Sequence, residues 1–312
     1  MANQYLKYCT KEEALEFLMS LHLCQNLRTL YAVSNHIEKH YEYMEISKNG
    51  KTRCLNMPDS LLKYIQRNIL NHVLYGMHIS SYAKAYCKKV DILENAKPHV
   101  RKPMILKLDI KDFFGSITFY MVKENVFREE YFPESISILL TILCTYKGVL
   151  PQGAPTSPMI SNIILREFDE IIGAWCESKN IIYTRYSDDM TFSGTFDKNE
   201  ILNFVKRELA LLGFQLNCKK TKLLFPSDRQ TVTGIVVNEK TNTTREYRKN
   251  IRKEIYYCKK YGIENHLNFI HIDIEKKDYL NSLKGKILFV LHVDHENLEF
   301  KNYLKWIEKV EK

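Results

Sequence analysis

No two cysteines in this chain form a C-x-x-C pair, although 312 residues contain eight of them. Their scatter argues against a zinc site or a disulfide framework and favours reduced thiols. The opening MANQYLKYCTKEEALEF lacks a basic stretch followed by an apolar run, so no signal peptide is expected. Long hydrophobic runs are missing as well: the most apolar segment, ISILLTILCTY, is too short to span a bilayer. There is no internal repeat, no low-complexity tract and no Gly- or Pro-rich linker, so subdomains in contact are expected. The expectation is a soluble cytoplasmic protein with no membrane partner.

What is abundant points to a packed core and an anionic partner. Hydrophobic residues make up 45% of the chain, with 20 Tyr and 15 Phe, which excludes a disordered chain. Lys and Arg number 46 against 37 Asp and Glu, a net charge of +9. Such an excess favours nucleic acid or an anionic surface. Residues 240–260 hold eight Lys or Arg against two Glu, about two thirds of the net charge.

Thr10 and Glu13 read as a capping box opening a helix through about Leu23. YEYMEISKNGKTRCLNMP predicts two strands joined at Asn49-Gly50, and a helix follows Pro58 up to Gly76. MILKLDI (104–110) is a buried-type strand, with helical stretches near 119–130 and 134–146 after it. A long helix is expected from about Pro158 to Ser178, then a hairpin, the helix DKNEILNFVKRELALLG, and the strands TKLLF and TVTGIVV. Residues 104–225 thus read β–α–β–β–α–β, the split βαβ order of a ferredoxin-like sheet.

The hairpin YTRYSDDMTFSG places Asp188 and Asp189 at the centre of a strand-forming run, where aspartate is depleted. A polar turn is one reading. The other comes from topology, which brings this tip beside Asp109 at the end of a neighbouring strand. Carboxylates about 4 Å apart repel by roughly 4 kcal/mol per pair at an effective dielectric near 20, so some are protonated or cations hold them. Oxygen-only ligands suit Mg²⁺, and a pair of such ions can activate a hydroxyl and stabilise departing pyrophosphate.

LKLDIKDFFGSI, LPQGAPTSP and YSDD, in this order and spacing, closely resemble the polymerase motifs of reverse transcriptases. NAKPH (95–99) and VTG (232–234) resemble the two signatures of bacterial retron reverse transcriptases. The resemblance covers essentially the whole chain. It implies an α+β right-hand polymerase: N-terminal region and fingers over 1–103, palm over 104–238 with a fingers insertion at about 119–150, and helical thumb over 239–312.

It also implies residue roles. Asp109, Asp188 and Asp189 would be catalytic and bind two Mg²⁺ ions, with the carbonyl of Ile110 assisting. Phe114 falls at the steric-gate position, where a rigid ring excludes a 2′-hydroxyl; its other reading is a core aromatic. Gln152 would lie near the incoming nucleotide, with Gly153 allowing close backbone approach. Lys88 resembles a triphosphate contact, although Ala85 stands where Gly is usual, and Gly115 replaces a commoner Pro. Lys219 or Lys220 would protonate pyrophosphate, or else belong to a solvated turn. Asn95, His99, Val232, Thr233 and Gly234 are candidate RNA contacts, His99 also reading as structural. Arg245, Arg248 or Lys249, and Arg252 lie on one helical face with tyrosines interleaved, as in a thumb meeting RNA or hybrid.

The function implied is copying of a cognate structured non-coding RNA, both template and primer, into branched RNA-linked single-stranded DNA. Deoxyribonucleoside triphosphates and an RNA–DNA hybrid are the implied ligands. Antiphage defence through an effector or toxin protein follows from the same resemblance. About seventy residues after position 240 leave little room for an RNase H domain, so a host RNase H is expected to remove template. The alternatives are a group II intron-like or other bacterial reverse transcriptase, and a non-catalytic RNA-binding scaffold. Phe114 disfavours an RNA-templated RNA polymerase.

Overall fold

The computed structural model describes residues 10–23, 26–48, 51–271 and 273–310. The chain divides into two compact units, Met1–Val90 with Leu106–Leu223, and Asp91–Ile105 with Leu224–Lys312. This division does not follow the expected fingers, palm and thumb boundaries: Asp91–Ile105 groups with the C-terminal third rather than with its sequence neighbours.

The first unit opens with the helix Lys11–Ser20, whose Thr10 and Glu13 form the expected reciprocal cap. Strands β1 (Tyr41–Lys48) and β2 (Lys51–Pro58) pair antiparallel from Tyr41↔Pro58 to Lys48↔Lys51. Their expected turn, Asn49-Gly50, lies outside the described residues. The helix after Pro58 runs Ser60–His72, capped by the Asp59 carboxylate, and a short 3₁₀ turn carries the chain to Gly76.

A four-stranded sheet holds β3 (Met104–Asp109), β4 (Ile182–Tyr186), β5 (Asp189–Gly194) and β6 (Lys222–Leu224), in the order β4-β5-β3-β6. This is the ferredoxin-like order that the β–α–β–β–α–β reading requires. Backbone bonds from Arg185 N to Tyr82 O (2.9 Å) and Lys84 N to Arg185 O (2.8 Å) lay residues 82–84 along β4. The outer edge of β4 is thereby paired rather than left open.

Helices Phe119–Asn125 and Glu134–Cys144 fall where the periodicity places them. The single helix expected over 158–178 is instead two, Ser157–Ile164 and Arg166–Ser178, broken at Leu165. Both bury one face: Ile160, Ile163, Phe168 and Ile172 join the first unit's core with Leu106, Leu108 and Phe192. Burying such side chains stabilises by about 1.5–3 kcal/mol each, so core packing compensates for the broken backbone ladder.

In the second unit β7 (Thr231–Val232) and β8 (Ile235–Val236) form a minimal hairpin. Its two-residue turn, Thr233-Gly234, has φ of +46° and +84°. Two consecutive left-handed residues are what a tight hairpin turn needs, and Gly234 meets this without a Cβ penalty. Val232, Ile235 and Val237 pack with Leu93, Ala96 and Ile105 in a small core. The helices Arg245–Tyr261, Ile263–Phe269, Lys276–Val293 and Leu298–Val310 form a separate cluster around Ile251, Ile255, Leu283, Ile287 and Phe300. No helix among the described residues is long and apolar enough to cross a membrane.

Candidate active site

The site is assembled by backbone pairing at the end of β3. Ile110 N donates to Asp188 O (3.1 Å), fastening the hairpin tip to that strand. On the other side Lys111 N bonds Gln215 O and Asn217 N bonds Asp109 O, each at 2.8 Å. The chain then enters the 3₁₀ turn Cys218–Lys220, which delivers Lys220 to the same place. Lys220 Nζ lies 2.6 Å from Asp109 Oδ2. Lys220 rather than Lys219 is thus the lysine that meets the carboxylates.

Burial holds the Asp188 carboxyl above its usual range, and the nearby Asp189 and Asp109 charges push the same way. Burial raises Asp189 as well, against the pull of Lys107. Lys220 is raised by its bond to Asp109, so it stays charged at neutral pH. The cluster is therefore in a cation-compensated form. Among the described residues no three His, Cys, Asp or Glu side chains close into a metal cage. The donors nevertheless fit a hard divalent ion. All are oxygens, and Asp109 Oδ1 is buried with no hydrogen-bond partner.

A cleft of about 560 Å³ opens over this cluster. Asp109, Ile110, Asp188 and Lys220 line it together with Phe114 and Gln152, so six of the expected site residues share one space. Phe114 packs against Phe113 with ring centroids 5.3 Å apart and the planes tilted by 46°, which supports its ring at the cleft wall. Gln152 is held through its carbonyl, which accepts from Asn56 N (3.0 Å) on β2. Gly153, at φ +137°, has a local cause: a Cβ there would lie 2.7 Å from the Asn56 carbonyl. The glycine thus serves the close approach of β2.

Other expectations need correction. Lys88 does not line the cleft; its ammonium lies 3.7 Å from the centre of the Tyr75 ring, a cation–π contact. Asn95, His99 and Val232 are buried. Their side chains support the fold rather than offer a surface to RNA. Thr233 and Gly234 form the hairpin turn described above. Arg248 bonds Asn242 and the Thr243 carbonyl, and Arg252 makes two 2.7 Å bonds to Glu299. Both guanidiniums thus tie the second unit's own elements together, whereas Arg245 is exposed.

Two residues of the site were not anticipated. Tyr86 lines the cleft and its hydroxyl lies 3.1 Å from Ser187 Oγ. Arg185 is wholly buried, bonded to both oxygens of Asp169, to Asn162 Oδ1 (3.1 Å) and to the Ser187 carbonyl (2.9 Å). Ser187 has φ +62°, a left-handed conformation costly for a residue with a side chain, and these bonds hold it there. The available signal was an arginine at an inward position of a buried strand, since a buried charge requires a partner.

Comparison with known proteins identifies the chemistry. The profile described as Reverse transcriptase (RNA-dependent DNA polymerase) matches residues 37–253. The retron Ec86 reverse transcriptase of Escherichia coli is 32% identical over 278 residues, 87% of this chain and 82% of that protein. This chain belongs to the retron reverse transcriptases. The retron Ec83 enzyme of E. coli is 29% identical, over 83% of this chain and 85% of its own. Among solved structures, a foamy viral protease–reverse transcriptase bound to double-stranded DNA aligns at TM-score 0.48 and 17% identity, over 86% of this chain and 38% of that one. This retron reverse transcriptase has the right-hand polymerase fold and is an RNA-directed DNA polymerase, a nucleotidyltransferase. Its family uses divalent metal ions and acts on RNA templates.

Proposed function

We propose that this enzyme copies a cognate structured RNA into single-stranded DNA that stays joined to the RNA as a branch. The observation that carries the reading is the Asp109, Asp188 and Lys220 cluster, open to a cleft walled by Phe114 and Gln152. Two Mg²⁺ ions, when bound, would supply the positive charge needed by the attacking hydroxyl and the departing pyrophosphate. Asp109, Asp188 and Asp189 would hold them, with the Ile110 carbonyl assisting. Phe114 blocks the space a 2′-hydroxyl of the nucleotide would need, and Gln152 flanks the nucleotide. Lys220, released from Asp109, gives its proton to pyrophosphate.

In the first step the 2′-hydroxyl of one guanosine in the RNA attacks the α-phosphorus of a deoxynucleotide. A 2′,5′-phosphodiester forms and pyrophosphate leaves. Later steps extend the DNA's own 3′-hydroxyl along the template. From family resemblance we also infer that a host RNase H trims the template, and that the product serves antiphage defence with an effector protein in the cytoplasm.

The test is DNA synthesis on RNA copurified with the enzyme, using labelled nucleotides. Product mobility should rise after ribonuclease treatment and rise differently after debranching. Product free of RNA from the start, with equal extension of arbitrary primer–templates, would remove the branched-product reading and leave the polymerase.

A further inference from the structure

The second unit carries a cavity that the polymerase chemistry does not use. It lies among the helices Arg245–Tyr261, Ile263–Phe269 and Lys276–Val293 and encloses about 440 Å³. An adjoining cavity of about 480 Å³ shares Tyr257, His266 and Phe269 with it. Both fall within the ~300–1,000 Å³ range of small-ligand sites.

The walls are aromatic and partly stacked. Tyr261 and Tyr257 lie 6.0 Å apart at 23°, and Tyr257 and His266 lie 5.6 Å apart at 18°. Phe269 is 79% exposed at the edge of this ladder, an unusual position for a ring with no partner in the described fold. His266 Nε2 is buried without a hydrogen-bond partner among the described residues. An orphaned polar atom beside an open cavity points to a ligand with a polar edge.

Lys253 and Lys286 line the first cavity with Glu254, which Lys286 neutralises at 2.8 Å, and Lys260 stands outside the lining beside Tyr261. Lys253 lies over the Tyr257 ring at 6.0 Å, and Lys260 over Tyr256 and Tyr261 at 5.5 and 5.1 Å. The helix they belong to, REYRKNIRKEIYYCKKY, carries seven Lys or Arg against two Glu. Flat rings beside ammonium groups match a nucleotide, whose base stacks while its phosphate meets the cation. An apolar protein segment would use the rings but leave the lysines unpaired.

We propose that this cavity receives one unpaired nucleobase of the RNA, stacked against Tyr257, Tyr261 and Phe269 with its phosphates on Lys253 and Lys260. The proposal rests on the RNA-copying function and adds to it a site for a single extruded base, outside the polymerase cleft. Recognition there is of a looped or bulged nucleotide, not of duplex.

The probe is a short RNA hairpin with 2-aminopurine in its loop, compared with the same hairpin carrying the analogue within the stem. Wild-type enzyme should quench the loop fluorophore and leave the stem one nearly unchanged. Phe269→Ala and Tyr261→Ala remove exposed rings, so folding is spared. Each should abolish most of the quenching and weaken hairpin affinity by about fivefold or more, without changing how affinity varies with salt. Lys253→Gln and Lys260→Gln should do the opposite, lowering the salt slope by roughly 0.7–0.9 for each phosphate no longer neutralised.

Equal quenching and affinity in wild type and both ring variants would overturn the proposal, and would point to a protein partner for the exposed rings. Primer extension on an arbitrary RNA template is run alongside. Extension without loop quenching removes the base site alone; quenching without extension keeps the base site and removes the polymerase reading.

Discussion

Asn95 donates its side-chain amide to the hydroxyl of Thr233, 138 positions further along the chain, at 3.4 Å. The two retron signatures therefore meet each other. Asn95 is buried on one side of this contact, and on the other Thr233 holds a left-handed turn unfavourable for a β-branched residue. Around them Leu93, Ala96, Val232 and Ile235 close a common core. The signatures are better understood as the two halves of one structural clasp than as two separate RNA contacts.

His99, in the same clasp, makes its stability depend on pH. Burial, with a smaller push from Lys102, holds the imidazole down at about 3. In the unfolded chain it titrates near 6.5, so between these values the unfolded state carries the extra proton. Stability is then full above pH 6.5 and falls as pH drops towards 3, with about 2 kcal/mol lost by pH 5. Urea unfolding at pH 7 and pH 5 should show this loss in wild type and a much smaller one in His99→Gln. Equal pH dependence in the two proteins would disprove the assignment.

Asp188→Asn should abolish DNA synthesis while leaving RNA binding near the wild-type level. The substitution removes one anionic ligand but keeps the size and the backbone bond from Ile110. Chelator should likewise stop the wild-type reaction, and manganese should restore it. Normal synthesis by the variant would refute the metal role.

Phe114→Val should raise ribonucleotide incorporation relative to deoxyribonucleotide by orders of magnitude. The ring lines the cleft, and the smaller side chain opens the space it fills. Single-nucleotide incorporation with matched ribo- and deoxyribo-substrates measures the ratio. An unchanged ratio would make Phe114 a core residue and place the gate elsewhere.

Arg185→Met strands a buried Asp169 charge and should cost roughly 3–5 kcal/mol of stability. Adding Asp169→Leu removes that charge and should return most of the stability. Synthesis should not return, because the Ser187 carbonyl still lacks the donor that fixes the turn. Recovery of both properties in the double variant would reduce Arg185 to a packing role.

The sequence made the polymerase core legible because its signals are local or set by topology. Strand alternation and two adjacent acids marked β4 and β5, and the β–α–β–β–α–β order alone brings Asp109 beside Asp188. What it concealed depends on distant partners. Lys88 reads as a triphosphate contact and Arg252 as an RNA contact, since nothing near them in sequence announces Tyr75 or Glu299. The break at Leu165 was invisible because the apolar pattern continues across it, with Ile163, Ile164 and Phe168 all buried. Gly153 reads as allowing close backbone approach, and the approach the structure shows is that of β2, nearly a hundred residues earlier.

The second unit is built from Asp91–Ile105 and Leu224–Lys312, so the chain crosses between units three times. On the ribosome the earlier segment emerges well before the hairpin that covers it. At 5–20 residues per second the wait is on the order of ten seconds, during which Leu93, Ala96 and Ile105 have no native cover. The first unit needs no segment beyond Leu223, which emerges eight residues ahead of the hairpin's first strand at Thr231, and its Asp188–Asp189 tip emerges earlier still. Birth order thus favours a nascent chain whose catalytic carboxylates are assembled before its signature clasp shuts, and a C-terminal fragment made alone would lack the strip of chain that clasp needs.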